Sequence, residues 1–163
     1  MVCLPDCAAL EAIFHQPRSH KLKGHFYMDI TVDFPGGARV DAHFGSFTVH
    51  TDQPYNYGGD NTAPSPFELF LASLATCAGY YVLSFCEMRG ISAEGIRIIQ
   101  HVEQNPVDKM VRKITVDIRL PADFPQQYVS AVRRAAESCL VKKHLESPPA
   151  FEVKTSVASE ALL

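Results

Sequence analysis

A long uncharged segment in the middle of the chain restricts the fold more than any other feature. Residues 69–86 carry no charged side chain. Pro66 suits the first turn of a helix with Ser65 as its cap, and Gly90 suits the end of that helix. The sequence therefore predicts one long helix that is apolar on every side. Such a helix is either the buried centre of a globular protein or a membrane span.

The surroundings of this segment favour the globular protein over the membrane span. Glu68 and Glu87 flank the segment, and polar side chains interrupt it at Ser73, Thr76 and Ser84. The rest of the chain is predicted to form amphipathic strands, which need an apolar core to cover one of their faces. We therefore expect a long core helix in a soluble protein that does not enter a membrane.

Length, charge and cysteine content exclude further classes of protein. With 163 residues and a net charge of −3, the chain can form one well-packed core, and its Lys and Arg residues are scattered. We therefore expect no nucleic-acid partner. The first residues lack the basic region and apolar run of a secretory signal. Because the five cysteines follow no disulfide framework, we expect a cytoplasmic protein with reduced thiols.

Apolar periodicity predicts a single α+β domain over residues 25–163, preceded by an N-terminal arm at residues 1–24. Three short alternating strands indicate an antiparallel meander with a hairpin turn at Pro35-Gly36-Gly37. The predicted order continues with the long helix, a second hairpin, a second helix and a closing strand. The predicted spans are 25–33, 40–44, 47–51, 66–90, 96–103, 111–120, 123–147 and 151–157.

Two cysteines fall on apolar faces of the two predicted helices. Cys77 lies near the middle of the long helix, and Cys139 recurs with Tyr128, Val132 and Ala135 at helical spacing on the second. Thiols on two core-facing helices can meet inside a fold and exchange electrons. The alternative is that both are small apolar residues filling a core, which free cysteines commonly do. The spacing alone leaves both interpretations open.

The long helix opens with Pro-x-Glu-Leu at residues 66–69 and carries Ala-x-Cys at residues 75–77. With these motifs it resembles the central helix of the OsmC/Ohr family of small bacterial thiol peroxidases, in particular a less characterised branch. The order of elements and the late cysteine also match, so the resemblance covers about residues 25–157. It implies an OsmC-like α+β fold in an intertwined homodimer, with the two central helices in the middle.

The resemblance implies a cysteine-based peroxidase that reduces organic hydroperoxides, with a role in stress response and detoxification. Cys77 would attack the O–O bond and become a sulfenic acid, and Cys139 would resolve it as a disulfide. A dithiol reductant of the lipoyl type would then restore the two thiols. The partners implied are a second copy of the chain, this reductant and a small hydrophobic peroxide, and no cofactor is implied.

The resemblance also places two charged residues near the attacking thiol. Family members have a glutamate ten residues before that cysteine, where it holds an arginine from the turn between the first two strands. Here Glu68 lies nine residues before Cys77, on nearly the opposite helix face, and Arg39 lies one position beyond the family's arginine. Arg18 is a second candidate. The alternative for Glu68 is a first-turn carboxylate that the helix dipole favours. The alternative for Arg39 is an exposed arginine without a catalytic role.

The remaining cysteines and histidines give weaker signals. Cys86 lies about half a turn out of phase with Cys77, so we expect it to be a core residue. Cysteines and histidines, which can bind metals, occur near the start of the sequence. Their spacing is not that of a recognised zinc site, and we expect no metal. These residues are Cys3, Cys7, His15 and His20.

Two functions therefore remain open. The first is a dimeric thiol peroxidase that depends on Cys77, Cys139 and a nearby cation. The second is a non-catalytic OsmC-like dimer in which an apolar pocket binds a small molecule and the cysteines are structural. The shifted positions of Glu68 and Arg39 favour the second function, whereas the retention of both cysteines favours the first.

Overall fold

The computed structural model describes residues 28–157. The predicted N-terminal arm and the beginning of the predicted first strand lie outside these residues. The fold is α+β, as predicted. The elements are β1 (Thr31–Gly36), β2 (Arg39–Phe44), β3 (Phe47–Val49), α1 (Pro66–Met88), β4 (Arg97–Gln104), β5 (Val111–Arg119), α2 (Val129–Glu137) and α3 (Leu140–Glu146).

The chain divides after Leu69 into two compact units. In the first unit β1, β2 and β3 form an antiparallel meander in sequence order, which confirms the predicted arrangement. The hairpin loop lies at Gly37 and Ala38, because Gly36 pairs with Arg39. Gly37 takes a φ of 64°, which an L side chain rarely adopts. The turn is therefore one residue later than predicted.

α1 begins and ends with the caps that its sequence predicts. Ser65 and Glu68 bond each other reciprocally at the first turn, as a capping box does. At the end, Gly90 has a φ of 63° and the Ile91 N–H reaches the Cys86 carbonyl, as in a Schellman motif. By length and composition alone α1 is able to cross a membrane. Its buried residues instead belong to a core.

The core of the second unit combines one face of α1 with α2 and the segments beside it. The β4–β5 hairpin supplies partly buried apolar residues, with Ile98 opposite Ile118. Gln100 on β4 donates from Nε2 to the Leu71 carbonyl of α1 at 3.0 Å, which ties the hairpin to the helix. The buried members of this core are Ala78, Val82, Phe85, Cys86, Phe124, Val132, Ala136 and Cys139.

The second helix is interrupted where one continuous helix was predicted. A 3₁₀ turn (Gln126–Tyr128) precedes α2, and the chain leaves helical geometry at Ser138 and Cys139 before α3 begins. The Ser138 hydroxyl donates to the Arg134 carbonyl, which competes with continuation of the backbone ladder. Cys139, with φ −47° and ψ 123°, becomes the N-cap of α3. The prediction of an unbroken helix was therefore wrong.

The closing strand predicted over residues 151–157 is also absent from the described part of the chain. These residues carry no strand pairing, and Phe151, Val153 and Val157 are 89%, 92% and 98% exposed. The alternation of apolar and polar residues is present, but alternation alone does not make a strand. A strand needs a neighbouring edge that accepts its backbone hydrogen bonds. Among residues 28–157 this segment has no such pairing.

Candidate functional site

The second unit brings Cys77 and Cys139 together. Cys77 projects from the middle of α1 and is partly buried, whereas Cys139 lies between α2 and α3 and is 2% exposed. Cys77 packs against the core cluster that contains Cys139, close enough to affect its pKa, and both sulfurs are free thiols. Both cysteines therefore lie in one core, and their pairing stays a prediction. Cys77 is the more accessible member of the pair.

Two backbone groups fix the position of the Cys139 sulfur. Its thiol is placed to donate to the Leu74 carbonyl of α1, with 3.9 Å between sulfur and oxygen. The sulfur also accepts the backbone N–H of Lys142 at 3.5 Å. Leu74 precedes Cys77 by one helical turn, and side chains on a helix point back towards the preceding turn. The contacts of Cys139 thus hold it against the turn of α1 that Cys77 faces.

The surroundings of Cys139 favour the protonated thiol. Burial is the largest effect that raises the pKa of Cys139, and the neighbouring Cys77 thiol raises the pKa further. The backbone N–H groups of Lys142 and Val141 act in the opposite direction. Because the pKa remains above its usual value, Cys139 is a thiol at neutral pH. A buried neutral thiol is a poor first nucleophile, since the thiolate is the reactive form.

Cys86, the third described cysteine, takes no part in this pair. It is 0% exposed and packs in the core of the second unit, and burial raises the pKa of its thiol. Such an environment suits a small apolar residue rather than a reactive sulfur. The prediction that Cys86 is a core residue is confirmed.

Glu68 is engaged in the cap of α1. Its Oε2 accepts the Ser65 backbone N–H at 2.7 Å and the Ser65 hydroxyl at 2.8 Å. These bonds hold the pKa of the Glu68 carboxyl below its usual value. The carboxylate therefore has a structural task at the first turn of the helix. A role for Glu68 beside the attacking thiol stays a prediction.

Arg39 lies at the first position of β2 and is exposed. Its Nε donates to the Gly36 carbonyl across the hairpin loop at 3.1 Å. This contact uses one of several guanidinium donors, so it leaves capacity for an anionic group. A catalytic role for Arg39 stays a prediction. Arg18, the second candidate, lies outside the described residues.

Sequence reasoning missed Asp52, which organises the loop before α1. This side chain is 1% exposed. Its carboxylate accepts the backbone N–H groups of Gln53, Asp60 and Thr62 and the Thr62 hydroxyl. An aspartate just before a loop rich in Gly and Asn is a usual start for such a turn, and that signal was available. Gly59 completes the loop, because a Cβ there would lie 1.8 Å from the Gln53 carbonyl oxygen.

Residues 28–157 contain no group of three or more His, Cys, Asp or Glu side chains placed to hold a metal ion. Two histidines of the meander are paired with aspartates. His43 contacts Asp33 at 3.2 Å, and His50 contacts Asp41 at 2.6 Å. Such cross-strand pairs stabilise a sheet. The four possible ligands near the chain start lie outside the described residues.

A surface cavity of about 460 Å³ lies at the end of α1 where the loop to β4 begins. Its lining comes from residues 90–95 and 121–125, with Phe124 at its apolar part and Glu94 and Asp123 among its polar residues. Neither thiol of the Cys77–Cys139 pair lines this cavity. The cavity is therefore separate from the candidate redox site.

Comparison with solved structures finds the same fold in several bacterial proteins. An osmotic-stress-induced and detoxification-response protein of Psychrobacter arcticus 273-4 superposes with a TM-score of 0.63 at 20% identity, covering 75% of this chain and 90% of its own. An OsmC-like protein of Mycoplasma pneumoniae gives 0.59 at 16% identity, with coverages of 75% and 89%. An organic hydroperoxide resistance protein OsmC of Legionella pneumophila gives 0.51 at 20% identity, with coverages of 76% and 91%.

These identities are low enough that the superpositions establish the fold and nothing finer. No curated protein matches the sequence. The sequence pattern described as OsmC-like protein matches residues 59–154, which contain both thiols of the pair. Since this match extends over more than half of the sequence, the chain belongs to the OsmC-like protein family.

Proposed function

We propose that this protein is a thiol peroxidase that reduces organic hydroperoxides. The Cys77 thiolate attacks the O–O bond, the alcohol leaves, and Cys77 becomes a sulfenic acid. The Cys139 sulfur then bonds to the Cys77 sulfur while the sulfenic hydroxyl departs as water. A dithiol of the lipoyl type reduces the resulting disulfide by thiol–disulfide exchange and returns both cysteines to thiols.

The packing of both thiols in one core is the observation that carries this proposal. Two cysteines from different elements pack in the same core as free thiols, one partly accessible and one buried. Disulfide formation needs Cα atoms about 4.4–6.8 Å apart, and the proposal requires Cys77 and Cys139 to reach that separation.

Family membership supports the same chemistry at a coarser level. OsmC and Ohr relatives are associated with stress response and hydroperoxide resistance, and the Legionella pneumophila relative is named for organic hydroperoxide resistance. The Cys77 thiolate still requires a cation, because its position far inside α1 gives little help from the helix dipole. We assign this role to Arg39, with Glu68 orienting it. These two assignments are part of the proposal.

The proposed enzyme is a homodimer in the cytoplasm. The apolar side of the meander is open in the single chain, with Val32 51% and Phe34 79% exposed. The segment at residues 151–157 also exposes apolar side chains and has no ladder partner within the described chain. A second copy would cover such surfaces, which soluble monomers rarely leave open. Free thiols in the core suit a reducing compartment.

One observation favours the alternative of a non-catalytic OsmC-like dimer that binds a small molecule. The Glu68 carboxylate is held by Ser65, and Arg39 is bonded to its own hairpin loop. If both residues serve only these local structures, Cys77 lacks an activating cation. The thiols would then act as core residues.

Stopped-flow mixing of the reduced protein with cumene hydroperoxide, while free thiols are counted, separates the two functions. The peroxidase loses both thiols of the Cys77–Cys139 pair rapidly, and Cys77→Ser abolishes this loss. Cys86→Ala is the matched control on the same helix and is expected to keep the rapid phase. Thiol loss as slow as that of free cysteine would refute the peroxidase and leave the binding protein.

A further inference from the structure

We propose that the surface cavity at the end of α1 binds a small organic cation, namely an ammonium group carried on a compact apolar body. The cavity measures about 460 Å³, which lies within the usual range of ligand pockets. All of its lining belongs to the second unit, and neither thiol of the Cys77–Cys139 pair contributes to it. The inference therefore goes beyond the proposed peroxidase and does not rest on it.

The two segments that line the cavity are held by their own hydrogen bonds. In the first segment the Glu94 N–H donates to the Ser92 hydroxyl at 3.1 Å, and in the second the Phe124 N–H donates to the Pro121 carbonyl at 3.0 Å. The segments meet closely, because a Cβ on Gly95 would lie 3.3 Å from the Cβ of Pro121. A lining that is already ordered loses little conformational freedom when a ligand binds, so ordering it costs little affinity.

The apolar part of the lining suits the body of such a ligand. Phe124 is 4% exposed and belongs to the core of the second unit, so the lining is anchored in that core. Ile91 packs against the same core, and its N–H donates to the Cys86 carbonyl at 2.9 Å. Pro121 and Pro125 add apolar surface with a restricted backbone. A ligand in the cavity would therefore contact carbon atoms whose positions are fixed.

The charge of the lining determines the class of ligand. Glu94 and Asp123 contribute carboxylates, whereas no Lys, Arg or His of the described chain lines the cavity. Neither carboxylate has an ion-pair or hydrogen-bond partner among residues 28–157. An ammonium group would supply the missing partner, and bonds between ionised groups are stronger than those between neutral ones. An anion would be repelled by both carboxylates.

The arginines that adjoin the cavity in sequence leave this negative charge uncompensated. The Arg89 guanidinium lies over two aromatic rings, 5.2 Å and 5.7 Å from their centroids. The Nε of Arg119 donates to the Asp117 carboxylate at 3.0 Å. Arg97, at the first position of β4, lies outside the lining and forms no ion pair with either carboxylate of the cavity. The two carboxylates are therefore available to a ligand.

Three probes of similar shape test the preference for a cation. Phenethylamine is positively charged at neutral pH, 2-phenylethanol is neutral, and 3-phenylpropionate is negatively charged. Each is titrated into the isotope-labelled intact protein, and the amide NMR shifts give both affinity and location. We expect phenethylamine to bind about tenfold more tightly than 2-phenylethanol, with 3-phenylpropionate the weakest. Equal affinities, or shift changes only outside residues 90–95 and 121–125, would refute the inference.

Neutral variants of the two carboxylates identify the groups that bind the cation. We expect Glu94→Gln and Asp123→Asn each to weaken phenethylamine binding about threefold, and both together about tenfold, while 2-phenylethanol binding stays unchanged. Glu87→Gln is the matched control, because Glu87 is an exposed carboxylate near the end of α1 that does not line the cavity. It should keep the affinity of the parent protein. An equal loss in Glu87→Gln would show a general effect of surface charge and would rule out a specific site.

Asp123→Lys supplies a variant of opposite sign. Its ammonium group would take the place offered to the ligand, so we expect phenethylamine binding to be lost and 3-phenylpropionate to bind more tightly than it does to the parent. Asp123 and Glu94 are exposed, and substitutions at such positions change stability little. The thermal midpoint checks this, and Glu94→Lys replaces Asp123→Lys if the latter unfolds. An unchanged order of the three probes in the folded variant would overturn the proposal.

Discussion

Asp52 and Cys139 are both almost fully buried, yet their surroundings act on them in opposite directions. The carboxylate of Asp52 accepts hydrogen bonds from several donors of one loop, and these bonds hold the pKa of Asp52 below its usual value. Cys139 has fewer donors, and burial raises its pKa. The number of donors, rather than depth in the protein, decides which ionisation state is favoured.

The lowered pKa of Asp52 predicts a pH dependence of stability. The charged form is favoured in the folded state, with the Thr62 contacts as the largest cause. Its contribution to stability is therefore complete above the usual pKa of an aspartate and is lost as pH falls through the lowered folded pKa. We expect urea unfolding to show that Asp52→Asn is less stable than the parent at neutral pH and that the difference shrinks in acid.

Asp60→Asn is the matched control for this measurement, since Asp60 is an exposed carboxylate of the same loop. It should leave the acid dependence of the parent unchanged. If Asp52→Asn and the parent keep a constant stability difference down to the lowest pH at which they fold, the contacts of Asp52 do not depend on its charge. The assignment of Asp52 as an ionised anchor would then be wrong.

Elements differ in how far their sequences determined them. The caps of α1 were predictable because Ser65, Glu68 and Gly90 act through contacts within a few residues. The break before α3 was not predictable from apolar spacing, because the periodicity continues through Cys139 while a local hydroxyl bond of Ser138 ends α2. Periodicity reports which side chains face the core, and it does not report where the backbone ladder stops.

The contribution of the α1 capping box to stability can be tested by mutation. Ser65→Ala removes the hydroxyl that accepts the Glu68 N–H at 3.3 Å and donates to its carboxylate at 2.8 Å. We expect a loss of about 1 kcal/mol in the free energy of unfolding, measured by urea titration. Ser65→Thr keeps the hydroxyl and should retain most of that stability.

A double-mutant cycle identifies the Glu68 part of this cap. Because the two side chains bond each other, Ser65→Ala and Glu68→Ala together should cost less than the sum of their separate effects. Strict additivity would mean that the Ser65–Glu68 contacts contribute no coupling. The structural task of Glu68 would then rest on its bond with the Ser65 backbone N–H alone.

For the whole molecule, the two candidate cysteines could be predicted from the sequence, whereas the backbone contacts around the Cys139 sulfur could not. Two cysteines on apolar faces, together with the motifs of the long helix, pointed to Cys77 and Cys139. The contacts of Lys142 and Leu74 with the Cys139 sulfur depend on how α1 meets the α2–α3 break, and residue spacing carries no information about such packing. The missing closing strand has a similar cause, since its pairing partner is not determined by its own sequence.

The exposed apolar side chains of the meander lead to a prediction about assembly. Phe34 and Val32 both lie on β1, and their side chains are 79% and 51% exposed. We expect light scattering after size exclusion to find a dimer, and Phe34→Glu to shift it towards monomer because a charge would be buried at the interface. Val107→Glu is the control, since Val107 is 88% exposed in the β4–β5 turn. A monomeric parent protein at all concentrations, or equal dissociation by both variants, would contradict an interface at the meander.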